Sequence, residues 1–194
     1  MPIQDIFIVR HGRTPYNEQG IVQGSGIDAS LNDTGQEQAK AFFEAYQNFS
    51  FDRIYTSELK RTHETVLPFL AKGIPHVQHG GLNEISWGDY EGLKVWEVDR
   101  AYYQDLLEQW SQGHTHIPIQ GGESPECVAE RQQTFIQYLR QQSQDRQVLV
   151  CMHGRAMRVL LCQLLQEPLS RMDAYPHSNL SLYHVRLSEQ NAEL

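Results

Sequence analysis

Short continuous apolar runs alternate along this chain with stretches where apolar residues recur every three or four positions. Ile6-Phe7-Ile8-Val9 and Val148-Leu149-Val150-Cys151-Met152 are unbroken and rich in β-branched residues, the pattern of strands buried on both faces of a parallel sheet. Arg53-Ile54-Tyr55-Thr56 predicts another short strand. Val77 starts a weak one, and residues 180–185 alternate in polarity as a closing strand. Helices fall between them. Asn32 or Thr34 caps one whose stripe is Ala39, Phe42, Phe43, Tyr46 and Phe49. Thr56 or Ser57 caps a second, which runs to about Leu70 and breaks near Pro68 and Gly73. Ser124 followed by Pro125 marks a strong helix start, with Val128, Phe135, Tyr138 and Leu139 on the apolar face. A further helix follows His153-Gly154 to about Leu165. Residues 10–31 read as a loop, with Gly20, Gly24 and Gly26 marking turns. Residues 87–122 are the least regular and predict one helix from about Val95 to Trp110. Strand and helix alternate without an internal repeat or linker, which predicts a single α/β domain over residues 1–194 with a mostly parallel sheet.

Composition then narrows the chemistry. With 194 residues, 40% hydrophobic and 21% charged, the chain supports a folded core and is unlike a disordered protein. Its net charge of −8 repels nucleic-acid backbone and anionic membrane, so neither is an expected partner. No leader pattern opens the chain and no apolar run approaches the roughly 20 residues of a membrane span. Cys127, Cys151 and Cys162 are an odd, unpaired set, which suits a cytoplasmic location. Within the acidic total, 12 of the 16 basic residues are arginine, the side chain suited to two-pronged recognition of phosphate or carboxylate.

Five of those arginines fall at strand ends. Two strands close alike, on Arg10-His11-Gly12 and on Met152-His153-Gly154. Ligands of a parallel sheet bind outside the carboxyl ends of its strands, so the two histidines are expected to converge. The glycine after each lets the backbone approach a ligand closely. Arg10 and Arg13 flank His11, Arg155 and Arg158 follow His153, and Arg61 lies on the first turn of a helix after the Arg53-Ile54-Tyr55-Thr56 strand. Imidazoles among guanidinium groups form an anion pocket, and neighbouring positive charge keeps an imidazole neutral and nucleophilic.

On these residues the sequence resembles the histidine phosphatase superfamily, also called phosphoglycerate-mutase-like, in the branch with a Glu proton donor. The likeness opens at Arg10-His11-Gly12-Arg13-Thr14. It continues in order through Asn17, Gln23-Gly24, Leu31-Asn32-Asp33-Thr34-Gly35, Ser57-Glu58-Leu59-Lys60-Arg61-Thr62 and Leu82-Asn83-Glu84-Ile85. Gly88-Asp89-Tyr90-Glu91-Gly92, Gly121-Gly122-Glu123-Ser124 and His153-Gly154 complete it, so it spans nearly the whole chain.

The resemblance implies a three-layer α/β/α sandwich around a mostly parallel sheet. It implies His11 as the nucleophile that takes a phosphoryl group, with Arg10, Arg61 and His153 holding the phosphoryl oxygens. Glu84 would protonate the leaving oxygen, then act as base towards the hydrolytic water. Asn17, Gln23, Gly24, Arg13, Gly154 and Arg155 make up the expected phosphate- and substrate-binding set. No metal or other cofactor is expected, because arginines supply the charge that Mg²⁺ gives elsewhere. The implied activity is metal-independent hydrolysis of a small phosphorylated metabolite through a phosphohistidine.

Two other readings stay open. One is a cofactor-dependent phosphoglycerate mutase; mutases of the family are typically longer, with an insertion and a tail over the site, so the short chain is expected to be a phosphatase rather than a mutase. The other is a non-catalytic phospholigand-binding module, against which the presence of both His11 and Glu84 speaks. Arg13 stands where the family often has Glu or Gln, and Arg155 where a small residue is common. Each either strengthens anion binding or pairs with a local carboxylate. Arg158 reads as a structural helix residue, His177 as packing beneath the site, His114 and His116 as a solvated loop, and Glu123 and Ser124 as helix-start residues. Trp87, Trp96 and Trp110 all lie in residues 87–122 with Tyr90, Tyr102 and Tyr103. This segment is expected over the mouth of the site, its aromatics either meeting the substrate or forming the cap's own core. A homodimer through an edge strand is left open.

Overall fold

The strands β1 (Gln4–Arg10) and β4 (Gln147–Met152) run parallel, side by side, at the centre of a six-stranded sheet. The structure is a computed structural model and describes residues 4–188 and 192–194. β2 (Arg53–Thr56) pairs parallel with β4, and β3 (His76–Gln78) parallel with β2. On the other side β5 (Leu182–Leu187) is antiparallel to β1, and β6 (Ala192–Glu193) is antiparallel to β5. The order is β3-β2-β4-β1-β5-β6, mostly parallel as the sequence predicts.

The two-residue period of the strands divides their side chains between two cores. Ile6, Ile8, Val148, Val150 and Met152 face α5 (Pro125–Gln141) and α6 (Gly154–Leu164), packing with Val128, Phe135, Val159 and Leu160. Phe7, Val9, Leu149 and Cys151 face α2 (Asp33–Tyr46) and α3 (Lys60–Leu70), packing with Phe42, Val66 and Phe69. The result is the three-layer α/β/α sandwich. Burial on both faces is the physical reason that β1 and β4 are apolar without alternation.

Several local expectations change. Residues 10–31 contain a short helix, α1 (Pro15–Gln19), capped by Thr14 and Asn17 bonding reciprocally to each other's backbone, with Pro15 at its first position. Neither Thr56 nor Ser57 caps α3; the cap is Leu59, with no side-chain bond, and the Ser57 hydroxyl instead accepts from the Leu59 N–H at 3.1 Å and meets His153 Nε2. Pro68 does not break α3 but lies inside it near its end. The helix expected from about Val95 is α4 (Arg100–Ser111), delayed because Asp99 accepts from the N–H groups of Ala101 and Tyr102 and so fixes the start. β5 starts at Leu182, since Leu180 has a left-handed backbone, φ 59°, where the chain turns against Arg10. Among the described residues no helix is long and apolar enough to cross a membrane.

Candidate active site

Register brings the two His-Gly strand ends together. Arg10 lies opposite Met152, and the next residue on each strand is a histidine. The His11 N–H donates to the Met152 carbonyl at 3.0 Å, and the His11 and His153 rings lie 5.2 Å apart between centroids. Both are buried. A carbonyl only accepts, so the 2.7 Å contact between His11 Nδ1 and the Gly12 oxygen is Nδ1–H donating. In the neutral ring the lone pair is therefore on Nε2. Burial holds His11 well below the usual histidine range, and the charges of Arg10 and Arg61 add to that; the Gly12 bond opposes them. The turn itself is fixed. Gly12 N–H donates to Thr65 Oγ1 at 2.9 Å, and a Cβ on Gly12 would lie 2.8 Å from the Gly35 carbonyl oxygen. Asn179 Nδ2 donates to the His11 carbonyl at 3.0 Å.

His153 is bonded differently. Arg61 Nε can only donate, so at 3.1 Å it fixes His153 Nδ1 as acceptor. The ring proton is then on Nε2, which donates to Ser57 Oγ at 2.8 Å. Burial, followed by Arg61, His11 and Arg10, also holds this histidine well below its usual range.

Arg61 is fully buried. Its Nη1 donates to the Ile27 carbonyl at 2.6 Å and its Nη2 to the Gly24 carbonyl at 3.2 Å. Burial lowers it to about 10, with the Glu84 carboxylate opposing that shift most strongly. Arg10 Nη1 donates to His177 Nδ1 at 3.2 Å, while its Nε is buried and without a partner among the described residues. Gln23 Nε2 is likewise buried without an acceptor, although Gln23 Oε1 accepts from Thr14 Oγ1 at 2.8 Å. Buried donors lacking acceptors are what an anion satisfies. His177 is pulled down to about 3 by burial and then by Arg10, Arg158 and Arg155, so it adds no charge of its own.

Glu84 is buried after the 3-10 turn Gly80–Leu82. Its Oε1 accepts from the N–H groups of Ile85 and Ala156, both at 2.9 Å, and its Oε2 from Arg155 N–H at 3.2 Å. The carboxyl group thus rests on the open first turn of α6, whose N–H groups have no partner inside the helix. Arg10 and Arg61 both lie within electrostatic reach of this carboxyl group.

The remaining expected residues separate into two groups. Gln23, Gly24 and Gly154 border the cluster. A Cβ at Gly24 would lie 2.2 Å from Glu91 Oε1, and one at Gly154 would lie 2.6 Å from His177 Cε1, so both positions admit only glycine without a shift. Asn17, Arg13 and Arg155 have local partners. Asn17 Oδ1 accepts from Thr14 N–H at 3.3 Å and from Asn179 Nδ2 at 3.2 Å. Arg13 lies 3.9 Å from Glu18, and Arg155 pairs with Asp173 at 2.7 Å, its guanidinium over the Trp110 ring. Arg158 donates to the Tyr175 carbonyl and also reaches Asp173. Trp110 is fully buried, Trp87 packs on Tyr103 and Tyr90 on Tyr102, so these aromatics form the cap's own packing; Trp96 is 71% exposed. Ser124 caps α5 as expected, whereas Glu123 pairs with Arg131 at 3.0 Å. Among the described residues no three His, Cys, Asp or Glu side chains converge as metal ligands.

Sequence reasoning missed Ser57 as the partner of His153, Thr65 beneath Gly12, and Asn179 against the His11 carbonyl. Ser57 carried a signal, since it opens a matched motif, but helix capping explained it first. Asn179 and Thr65 carried none.

Comparison with known proteins gives the family. The sequence model of the histidine phosphatase superfamily (branch 1) matches residues 6–194. Phosphoserine phosphatase 1 of Hydrogenobacter thermophilus is 31% identical over 186 residues, covering 95% of this chain and 87% of that one. A 2,3-bisphosphoglycerate-dependent phosphoglycerate mutase of Cytophaga hutchinsonii is 33% identical over 199 residues, covering 100% of this chain and 90% of that one. Among solved structures, a mycobacterial glucosyl-3-phosphoglycerate phosphatase superposes with a TM-score of 0.82 at 26% identity, covering 95% of this chain and 90% of the other.

Proposed function

The chain belongs to the histidine phosphatase superfamily, and on that premise we propose that it hydrolyses the phosphomonoester of a small metabolite through a phosphohistidine on His11, with no metal. The observation that carries this reading is the state of His11. Burial and then the charges of Arg10 and Arg61 keep it neutral, its Nδ1–H is tied to its own backbone, which leaves the lone pair on Nε2, and Arg10 and Gln23 nearby in the fold carry buried donors without acceptors among the described residues. Phosphatase-named relatives and structural neighbours support a histidine-type phosphatase.

Nε2 attacks phosphorus as the bond to the ester oxygen breaks. That oxygen takes the bonding pair and receives the proton of Glu84. Arg10 and Arg61 balance the charge on the phosphoryl oxygens, and His153 holds Arg61 in place through Nδ1. Glu84, now a carboxylate, takes a proton from the water that attacks the phosphohistidine. The P–N bond breaks and inorganic phosphate leaves. Acid-base assistance of this kind is worth roughly 10²–10⁴-fold. The test is release of p-nitrophenol from p-nitrophenyl phosphate in EDTA, wild type beside His11→Ala. Turnover by wild type alone is expected; loss of wild-type turnover on adding EDTA would remove metal independence.

The Cytophaga relative favours a second reading, a phosphoglycerate mutase. Mixing the protein with 2,3-bisphosphoglycerate and 3-phosphoglycerate separates the two. Formation of the 2-isomer faster than phosphate release selects the mutase. Phosphate release without isomer selects the phosphatase, with phosphoserine and the phosphoglycerates leading the substrate panel. Tight phosphate binding with neither reaction selects a binding module.

A further inference from the structure

The Glu123–Arg131 ion pair has no part in the chemistry proposed above, yet it holds the chain on both sides of Glu84. Arg131, on α5, donates from Nη1 to the carbonyls of Gly80 at 3.3 Å and Gly81 at 3.0 Å, and from Nη2 to the carbonyl of Glu84 itself at 3.0 Å. Its Nε and Nη2 also meet the Glu123 carboxylate at 3.0 and 3.3 Å. Glu123 in turn accepts from Ser86 N–H at 2.9 Å through Oε2, and its own N–H donates to the Ser86 carbonyl at 3.0 Å. The fit is close, since a Cβ on Gly81 would lie 2.8 Å from the Arg131 carbonyl oxygen and one on Gly122 would lie 2.4 Å from that of Ser86. A surface ion pair of ordinary strength would not bind four backbone groups of one seven-residue segment, with a fifth held by the Glu123 main chain. Arg131 is also electrically close, its charge being felt at His153.

We infer that Arg131 and Glu123 are positioning residues that fix the segment 80–86 so that the Glu84 carboxyl group meets the leaving oxygen. This rests on the reading of Glu84 as the general acid. A carboxyl group misplaced by about 1 Å delivers its proton poorly, at a cost of up to about 10²-fold. That loss depends on the leaving group. Nitrophenolate leaves without help, whereas phenolate leaves poorly unless protonated.

The test compares kcat/KM for phenyl phosphate and p-nitrophenyl phosphate. Glu84→Gln is expected to lower the phenyl-to-nitrophenyl ratio by about tenfold or more. Arg131→Gln and Glu123→Gln are expected to lower it by about three- to tenfold with KM little changed. In a Glu84→Gln background Arg131→Gln is expected to leave the ratio where it is, because the group it positions is gone. Should Arg131→Gln fail to fold, Glu123→Gln, which removes only the ion pair, carries the same comparison. The positioning role is overturned if Glu84→Gln shifts the ratio while the folded clamp variants lower both substrates equally. It is also overturned if Arg131→Gln shifts the ratio further in the Glu84→Gln background. If Glu84→Gln itself leaves the ratio unchanged, the acid assignment fails and the clamp's role falls with it.

Discussion

The two strand ends of this molecule carry the same His-Gly pair on adjacent parallel strands, and their histidines are wired in opposite ways. His11 spends Nδ1 on its own backbone and keeps Nε2 free. His153 has both nitrogens engaged, Nδ1 by Arg61 and Nε2 by Ser57. Burial first, and the same arginines after it, hold both well below the usual histidine range. The difference in role therefore follows from hydrogen bonding and not from burial or charge. On the proposed mechanism one imidazole is the nucleophile, and the other is a strut between a guanidinium and a hydroxyl.

The largest expected effect breaks the pair at its free member. His11→Ala should lose at least about 10⁴-fold in kcat, as removal of a nucleophile does elsewhere, whereas His153→Ala, which removes the strut behind Arg61, should lose up to about 10²-fold through misplacement of that guanidinium. Steady-state turnover of p-nitrophenyl phosphate measures both. Equal losses would erase the distinction. Ser57→Ala comes next, because it releases the strut without removing it. A neutral hydrogen bond is worth about 0.5–1.5 kcal/mol, so two- to tenfold in kcat is expected.

Stability sharpens the comparison from another side, since here the two histidines should behave alike. Each has its folded pKa depressed below the unfolded value near 6.5. The unfolded chain then binds more protons below that pH, so stability is fully present above about 6.5 and is lost as pH falls. Each contributes a slope of at most about 1.4 kcal/mol per pH unit. Thermal unfolding from pH 7.5 to 5 should show a falling Tm in wild type and a shallower fall in either histidine variant. The smallest effect is expected at Arg13, whose side chain is 38% exposed and 3.9 Å from Glu18. Arg13→Ala should change kcat/KM by less than about threefold.

What the sequence made legible was what one strand or one helix decides alone. β1 and β4 were readable because burial on both faces leaves an unbroken apolar run. The convergence of His11 and His153 followed from placing both at carboxyl ends of parallel strands. The helix start at Ser124-Pro125 was readable from local chemistry, and the same signal at Thr14-Pro15 was there to be used but was overshadowed by the neighbouring glycines. Contacts between distant segments were not legible. The tautomer of His153 depends on Arg61 and Ser57, 92 and 96 residues away. The grip of Arg131 on the chain around Glu84 joins residues about 50 apart, and no spacing rule predicts it. Arg155 shows the same limit, because only the fold reveals Asp173, on a later element, as its partner.

The most direct measurement is to trap the covalent intermediate. Wild type mixed with excess p-nitrophenyl phosphate is quenched in base within milliseconds, where a phosphohistidine survives, and the phosphorylated residue is located by mass spectrometry. The account predicts a phosphoryl group on His11, none on His153, and none in His11→Ala. Label on His153, or rapid turnover with no phosphohistidine at any time, would contradict it.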